Sequence, residues 1–167
     1  MPRDGLITYD EGLLIGYRGY DARLSRPQFP FGHGLGYTTW AYESLRATTA
    51  DLAAGDDLGL TVTVRNTGSR PGREVVQAYL AGPQGGTGGA GGVPRPVREL
   101  AAFGIAAAEP GAAAEVALQV PARAFAQWDD DTGGWLWPPG QFTVHVGRSS
   151  RDLRLAVPIR SQARSSS

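Results

Sequence analysis

The chain has 167 residues, 41% of them hydrophobic, and sixteen basic residues balance sixteen acidic ones. That length suffices for one domain with a real core and falls short of two large ones, and the even charge gives no electrostatic footprint for nucleic acid or an anionic membrane. Cysteine is absent, which excludes disulfides, thiolate catalysis and Cys-based metal sites, and every basic residue is an Arg, scattered rather than clustered.

At the N-terminus, Met1-Pro2-Arg3-Asp4-Gly5-Leu6 lacks the apolar stretch of a secretory signal, and a cytoplasmic location is expected on that ground. No apolar run approaches the ~20 residues of a membrane helix. Residues 1–28 hold one short apolar run, Leu13-Leu14-Ile15, and four glycines fall within the first nineteen positions. Each glycine inside a helix costs about 1 kcal/mol relative to alanine, so an irregular arm is expected, one that needs a partner surface.

The run Phe29-Pro30-Phe31-Gly32-His33-Gly34-Leu35-Gly36-Tyr37-Thr38-Thr39-Trp40 then alternates glycines with large apolar side chains. It reads as a joint: tight turns at Gly32, Gly34 and Gly36, with Phe29, Pro30, Phe31, Leu35 and Tyr37 gripping a neighbouring surface.

From about Ala41 the pattern becomes strand-like. Leu58, Leu60, Val62 and Val64 alternate with Gly59, Thr61, Thr63 and Arg65, the period of a half-buried strand. The turn-forming cluster Asn66-Thr67-Gly68-Ser69-Arg70-Pro71-Gly72 follows, and Glu74 to Leu80 predicts a second strand paired with the first like a hairpin. Further strands are expected over Arg98 to Ile105, closed by Glu109-Pro110-Gly111, and over Ala114 to Val120, stopped by Pro121. Ala122 to Gln127 suggests a short helical turn. Trp135-Leu136-Trp137, then Phe142 to Val146 with His145 on its solvent side, then Asp152 to Val157 complete the set. Between them Gly82 to Pro96 is a low-complexity loop, and Ser161 to Ser167 reads as a frayed tail. The expected fold is all-β: an immunoglobulin-like antiparallel sandwich of about seven strands, with an irregular N-terminal arm. Its parts are 1–40 (arm and joint), 41–160 (sandwich) and 161–167 (disordered tail).

Two blocks, Tyr9 to Asp21 and Phe29 to Trp40, resemble the C-terminal third of family 3 glycoside hydrolases, the β-glucosidase and β-xylosidase group. Val62 to Gly68, Glu74 to Tyr79, Arg95 to Leu100, Pro139 to Phe142 and Val146 to Asp152 follow in the family's order. The resemblance implies the end of the family's α/β sandwich domain passing into a fibronectin type III-like domain. It also implies partners, a catalytic barrel and the α/β domain, that this chain does not contain. The family's nucleophile is a barrel Asp, and no residue here matches its motif, so no catalytic residue is assigned. Retaining hydrolysis needs two carboxyl groups about 5 to 5.5 Å apart across the scissile bond. The chain is therefore expected to be an accessory structural region, inactive alone, with self-association through the arm as a further expectation. The alternative is a stand-alone carbohydrate-binding or adhesion module.

Within the arm, Tyr17, Arg18, Tyr20 and Asp21 are candidates for contact with the missing domains near their active-site rim, or for local packing and pairing of the carboxylates with Arg18 or Arg23. Asp10 and Glu11 are adjacent and point oppositely on an extended segment, which argues against a shared site. Trp135 and Trp137 share a strand face and could stack on sugar rings, with core or interdomain filling as the alternative. Asp129-Asp130-Asp131 suggests calcium, but position 12 counted from Asp129 is Gly140 rather than Glu, and an acidic hairpin turn fits better. Gly86 to Gly91 matches G-x-G-x-x-G without a following helix to hold a phosphate. His33 and His145 lack ligand spacing, and neither a metal nor a cofactor is expected.

Overall fold

Alternation along the chain becomes two facing layers. The computed structural model describes residues 11–83 and 95–162. After a short helix α1 (Tyr17–Ala22) come β1 (Trp40–Ala47), β2 (Asp51–Leu52), β3 (Leu58–Asn66), β4 (Gly72–Ala81), β5 (Glu99–Ala108) and β6 (Ala113–Val120). The helical turn α2 (Ala122–Phe125) leads to β7 (Gln127–Asp129), β8 (Gly134–Leu136), β9 (Gly140–Ser149) and β10 (Asp152–Ser161).

One sheet has the order β1-β3-β6 and the other β2-β10-β9-β4-β5; β7 and β8 pair only with each other. Leu58, Leu60, Val62 and Val64 of β3 face Val76, Ala78 and Leu80 of β4 and Phe142, Val144 and Val146 of β9 across a dry core. Burying such side chains stabilises by roughly 1.5–3 kcal/mol each. Phe125 closes one end of this core edge-on to Phe142, with ring centres 5.2 Å apart. The Arg95 guanidinium fixes α2 by donating to the carbonyls of Ala124, Phe125 and Ala126 at 2.7, 3.1 and 3.3 Å.

Two expectations are corrected. First, β3 and β4 are not a hairpin: β3 pairs with β1 and β6, and β4 with β5 and β9, so residues 67–71 carry the chain from one sheet to the other. The cause is Asn66. Its buried carboxamide donates to the carbonyls of Arg70 (2.7 Å) and Ala108 (3.0 Å) and accepts from Gly68 N (3.1 Å) and Thr38 Oγ1, which locks a corner where a hairpin turn would return. The expected all-β sandwich of about seven strands holds: the two sheets have eight strands, three plus five, and the β7–β8 hairpin adds two. Strands β1, β2 and β7 gave no clean alternation: β1 carries a bulge between Tyr42 and Ser44, and the other two span two and three residues. Second, Ser161 belongs to β10, opposite Gly140, and is buried; residues 163–167 lie outside the described residues, as do 84–94 of the glycine-rich loop with the Gly86 to Gly91 motif. Trp40, placed in the joint by sequence, opens β1 and is core.

The outer face of the five-stranded sheet carries the N-terminal arm. On β4 the residues Val75, Gln77 and Tyr79 point outward, and in register on β5 stand Ile105 opposite Val75 and Phe103 opposite Gln77. The arm lies across part of this face.

Candidate interdomain interface

A six-residue helix has too few internal bonds to stand alone, so α1 is held by what it touches. The Tyr17 ring stacks on Phe31 (4.5 Å, 16°) and meets Tyr79 edge-on at 6.4 Å, while its hydroxyl accepts from Leu100 N at 2.8 Å. Arg18 pairs with Glu99 at 2.9 Å. Asp21 is buried, and its carboxylate accepts from Arg151 Nε at 3.0 Å with Arg98 at 3.7 Å. Arg151 also donates to the carbonyls of Tyr20 (3.2 Å) and Ser25 (2.7 Å). A buried carboxylate stripped of such partners is strongly destabilising, so this cluster fixes where α1 sits.

The joint is fastened at Gly32. Gln77 Nε2 donates to Gly32 O (3.0 Å) and to Arg148 O (2.6 Å), and Gln77 Oε1 accepts from the Tyr79 hydroxyl at 2.6 Å. Ser150 N donates to Phe31 O at 2.9 Å. Gly32 has φ +81°, and a Cβ there would lie 2.0 Å from Gln77 Oε1, so the turn admits only glycine.

What the sandwich does not cover is as well defined. Leu35 and Tyr37 are each 93% exposed and Phe29 is 68% exposed, its ring touching His33 at 5.5 Å. Leu13, Ile15, Tyr20 and Leu24 also face outward. Tyr17, Tyr20, Pro27, Phe29 and Phe31 wall a cleft of about 210 Å³ with Asp21 and Arg151 lining it. Exposed aromatic and aliphatic groups in this density mark an interaction surface. Chemically the surface can bury apolar side chains around a rim of arginines; Arg23 and Arg26 have no ion pair among the described residues.

Of the residues singled out from sequence, Phe31, Gly32, Tyr17, Arg18 and Asp21 come together against the outer sheet face. Asp21 pairs with Arg98 and Arg151 rather than Arg18 or Arg23, because strand ends bring those arginines under α1. Gly34 and Gly36 are not tight turns: neither has a positive φ, and a Cβ on either would meet nothing within 4 Å. Trp135 and Trp137 do not form one platform, since the strand ends at Leu136. Trp135 meets Trp128 across the hairpin (5.5 Å, 71°) under the Arg123 guanidinium (4.4 Å), whereas Trp137 packs on the core and donates to Ala122 O. The acidic run forms the hairpin turn: Asp129 accepts from Thr132, and Asp130 from the Trp128 indole at 3.0 Å. His145 is half-buried rather than solvated, and burial together with Arg98 holds its pKa below the ordinary value. Gln77, Arg98, Arg148, Ser150 and Arg151 were missed. A polar Gln77 amid the apolar run Val75 to Leu80 was the available signal.

Comparison with known proteins gives one pattern. The fibronectin type III-like domain family matches residues 74–150. Thermostable beta-glucosidase B of Acetivibrio thermocellus is 35% identical over 94% of this chain, and beta-glucosidase cel3A of Pyricularia oryzae is 36% identical over 95%. The crystal structure of the Bifidobacterium adolescentis GH3 beta-glucosidase superposes with a TM-score of 0.84 at 33% identity, over 95% of this chain and 22% of that one. DesR, a beta-glucosidase from Streptomyces venezuelae, gives 0.83 at 35% identity, over 95% of this chain and 19% of that one. The chain spans about one fifth of the length of either curated relative, 20% in both cases.

Proposed function

The chain corresponds to the C-terminal region of the family 3 β-glucosidases, with their fibronectin type III-like domain, and from that premise we propose that it is the structural brace of such an enzyme. The observation that carries this reading is the two-sided arm. One side is clamped to the sandwich through Tyr17, Asp21 and Gly32, and the other presents Phe29, Leu35 and Tyr37 to whatever precedes it. A rigid sandwich holding an apolar arm fixes the position of an adjoining catalytic unit, which is how a distant support keeps an active site preorganised. Hydrolysis of a β-glucoside then belongs to the barrel and α/β domains of the complete enzyme.

The test uses β-glucosidase B of Acetivibrio thermocellus shortened by the segment that this chain matches. A partner that binds only the folded state raises its melting midpoint in a concentration-dependent way. The chain added in trans is expected to raise the midpoint of the shortened enzyme, and a Tyr37→Asp, Leu35→Asp double variant to do so less. An unchanged midpoint at saturating chain would refute the brace.

A further inference from the structure

The arm covers only part of the outer face of the five-stranded sheet. It lies over Gln77 and Tyr79, and at the β4–β5 edge of that face Val75, Phe103 and Ile105 are bare; Phe103 is 67% and Ile105 60% exposed. These three belong to one patch by register, since Ile105 stands opposite Val75 and Phe103 opposite Gln77. Gln77 is also the residue that holds Gly32 of the arm, so the patch borders the point where the arm is fastened. The strand that carries it is the edge of its sheet. Between Glu99 and Glu109 it has no charged residue and no proline, the devices by which proteins keep edge strands from unwanted pairing. The nine residues between those two glutamates form an apolar edge without such a guard.

The geometry points to the Val75, Phe103 and Ile105 face of β4 and β5 as a second docking surface for the preceding domains of the enzyme, continuous with the arm. This rests on the brace reading. The occupant follows from continuity and from chain length: about four fifths of each relative lies outside the matched region, and a body seated on the arm has this face as its neighbour. Its contacting surface is apolar, to match two exposed β-branched residues and an aromatic ring with no charge among them.

The experiment measures binding of the 167-residue chain to the shortened β-glucosidase B, with sedimentation of the chain alone in parallel. The variant is Phe103→Asp with Ile105→Asp, both side chains pointing to solvent, checked by circular dichroism melting; Phe103→Ser with Ile105→Ser is the milder second pair. At least a tenfold weakening of binding with an unchanged melting midpoint is expected for the Asp pair, and a smaller loss for the Ser pair. Wild-type binding by both pairs, alongside weakened binding by Tyr37→Asp, overturns this inference and leaves the brace standing. No binding by the wild-type chain overturns both. If the chain sediments as a dimer that the Asp pair dissociates, while binding to the shortened enzyme is unaltered, the occupant is a second copy and the inference fails.

Discussion

Replacing Gly32 with alanine should release the arm while leaving the sandwich folded. The new Cβ would lie 2.0 Å from Gln77 Oε1 and 2.8 Å from its Cδ, so the Gln77 side chain must leave its place. Leaving breaks its bonds to Gly32 O and Arg148 O and strands the buried Tyr79 hydroxyl that it accepts from. Each such hydrogen bond contributes about 1 kcal/mol net, and a left-handed conformation costs a non-glycine residue about 1 kcal/mol more. The total, about 4 kcal/mol, weighs on the docked arm and not on the core. Trypsin reads this directly, because Arg18 and Arg23 are both in the arm and a locally opened segment is cut in proportion to its open population. With tenfold per 1.4 kcal/mol, cleavage at these two sites should accelerate by roughly 1000-fold. The control is Gly34→Ala, where nothing lies within 4 Å and φ is not positive, and which should be cut like wild type. Equal cleavage of wild type and Gly32→Ala would refute the reasoning, as would a Gly34→Ala chain cut equally fast.

Asn66→Ala removes four bonds from a fully buried corner and should cost about 3 kcal/mol in urea denaturation. Wild-type stability there would mean that the corner is held by something else. His145 has its pKa lowered by burial and by Arg98, so the unfolded chain takes up a proton before the folded one as pH falls. Its contribution is complete above the unfolded pKa of about 6.5 and is lost below it; melting midpoints should drop from pH 7.5 to 5, and His145→Gln should flatten that part of the drop. A slope unaltered in the variant assigns it to other groups. On insoluble glucan the chain should not be retained beyond a Trp128→Ala, Trp135→Ala variant, because the Trp135 ring already sits under Arg123 and the Trp128 indole donates to Asp130. Retention that these substitutions abolish would favour a carbohydrate-binding module.

Much of the fold could be read from alternation. Leu58 to Val64 and Phe142 to Val146 each present one apolar face, and each is core as that pattern requires. Alternation shows which side of a strand faces inward, but it says nothing of which strand lies beside it. That is why β3 and β4, adjacent in sequence with turn residues between them, looked like partners. The corner between them is held by a carboxamide, Asn66, whose bonds reach residues up to 42 positions away. The joint was legible as composition and only partly as geometry. Three glycines looked alike, yet only Gly32 is pressed by a neighbour, and that neighbour, Gln77, is 45 residues distant. The same holds for Asp21, whose partner Arg151 lies 130 residues away. Ion pairs closed by tertiary structure leave no local spacing to find.

The brace account stands most directly on one assay, release of nitrophenol from an aryl β-glucoside by the chain, by the shortened β-glucosidase B, and by the two together. The chain alone should match the buffer control, and the mixture should exceed the shortened enzyme by an amount that saturates with added chain and falls when Gly32→Ala replaces wild type. Hydrolysis by the chain alone, or a mixture no more active than the shortened enzyme, would contradict it.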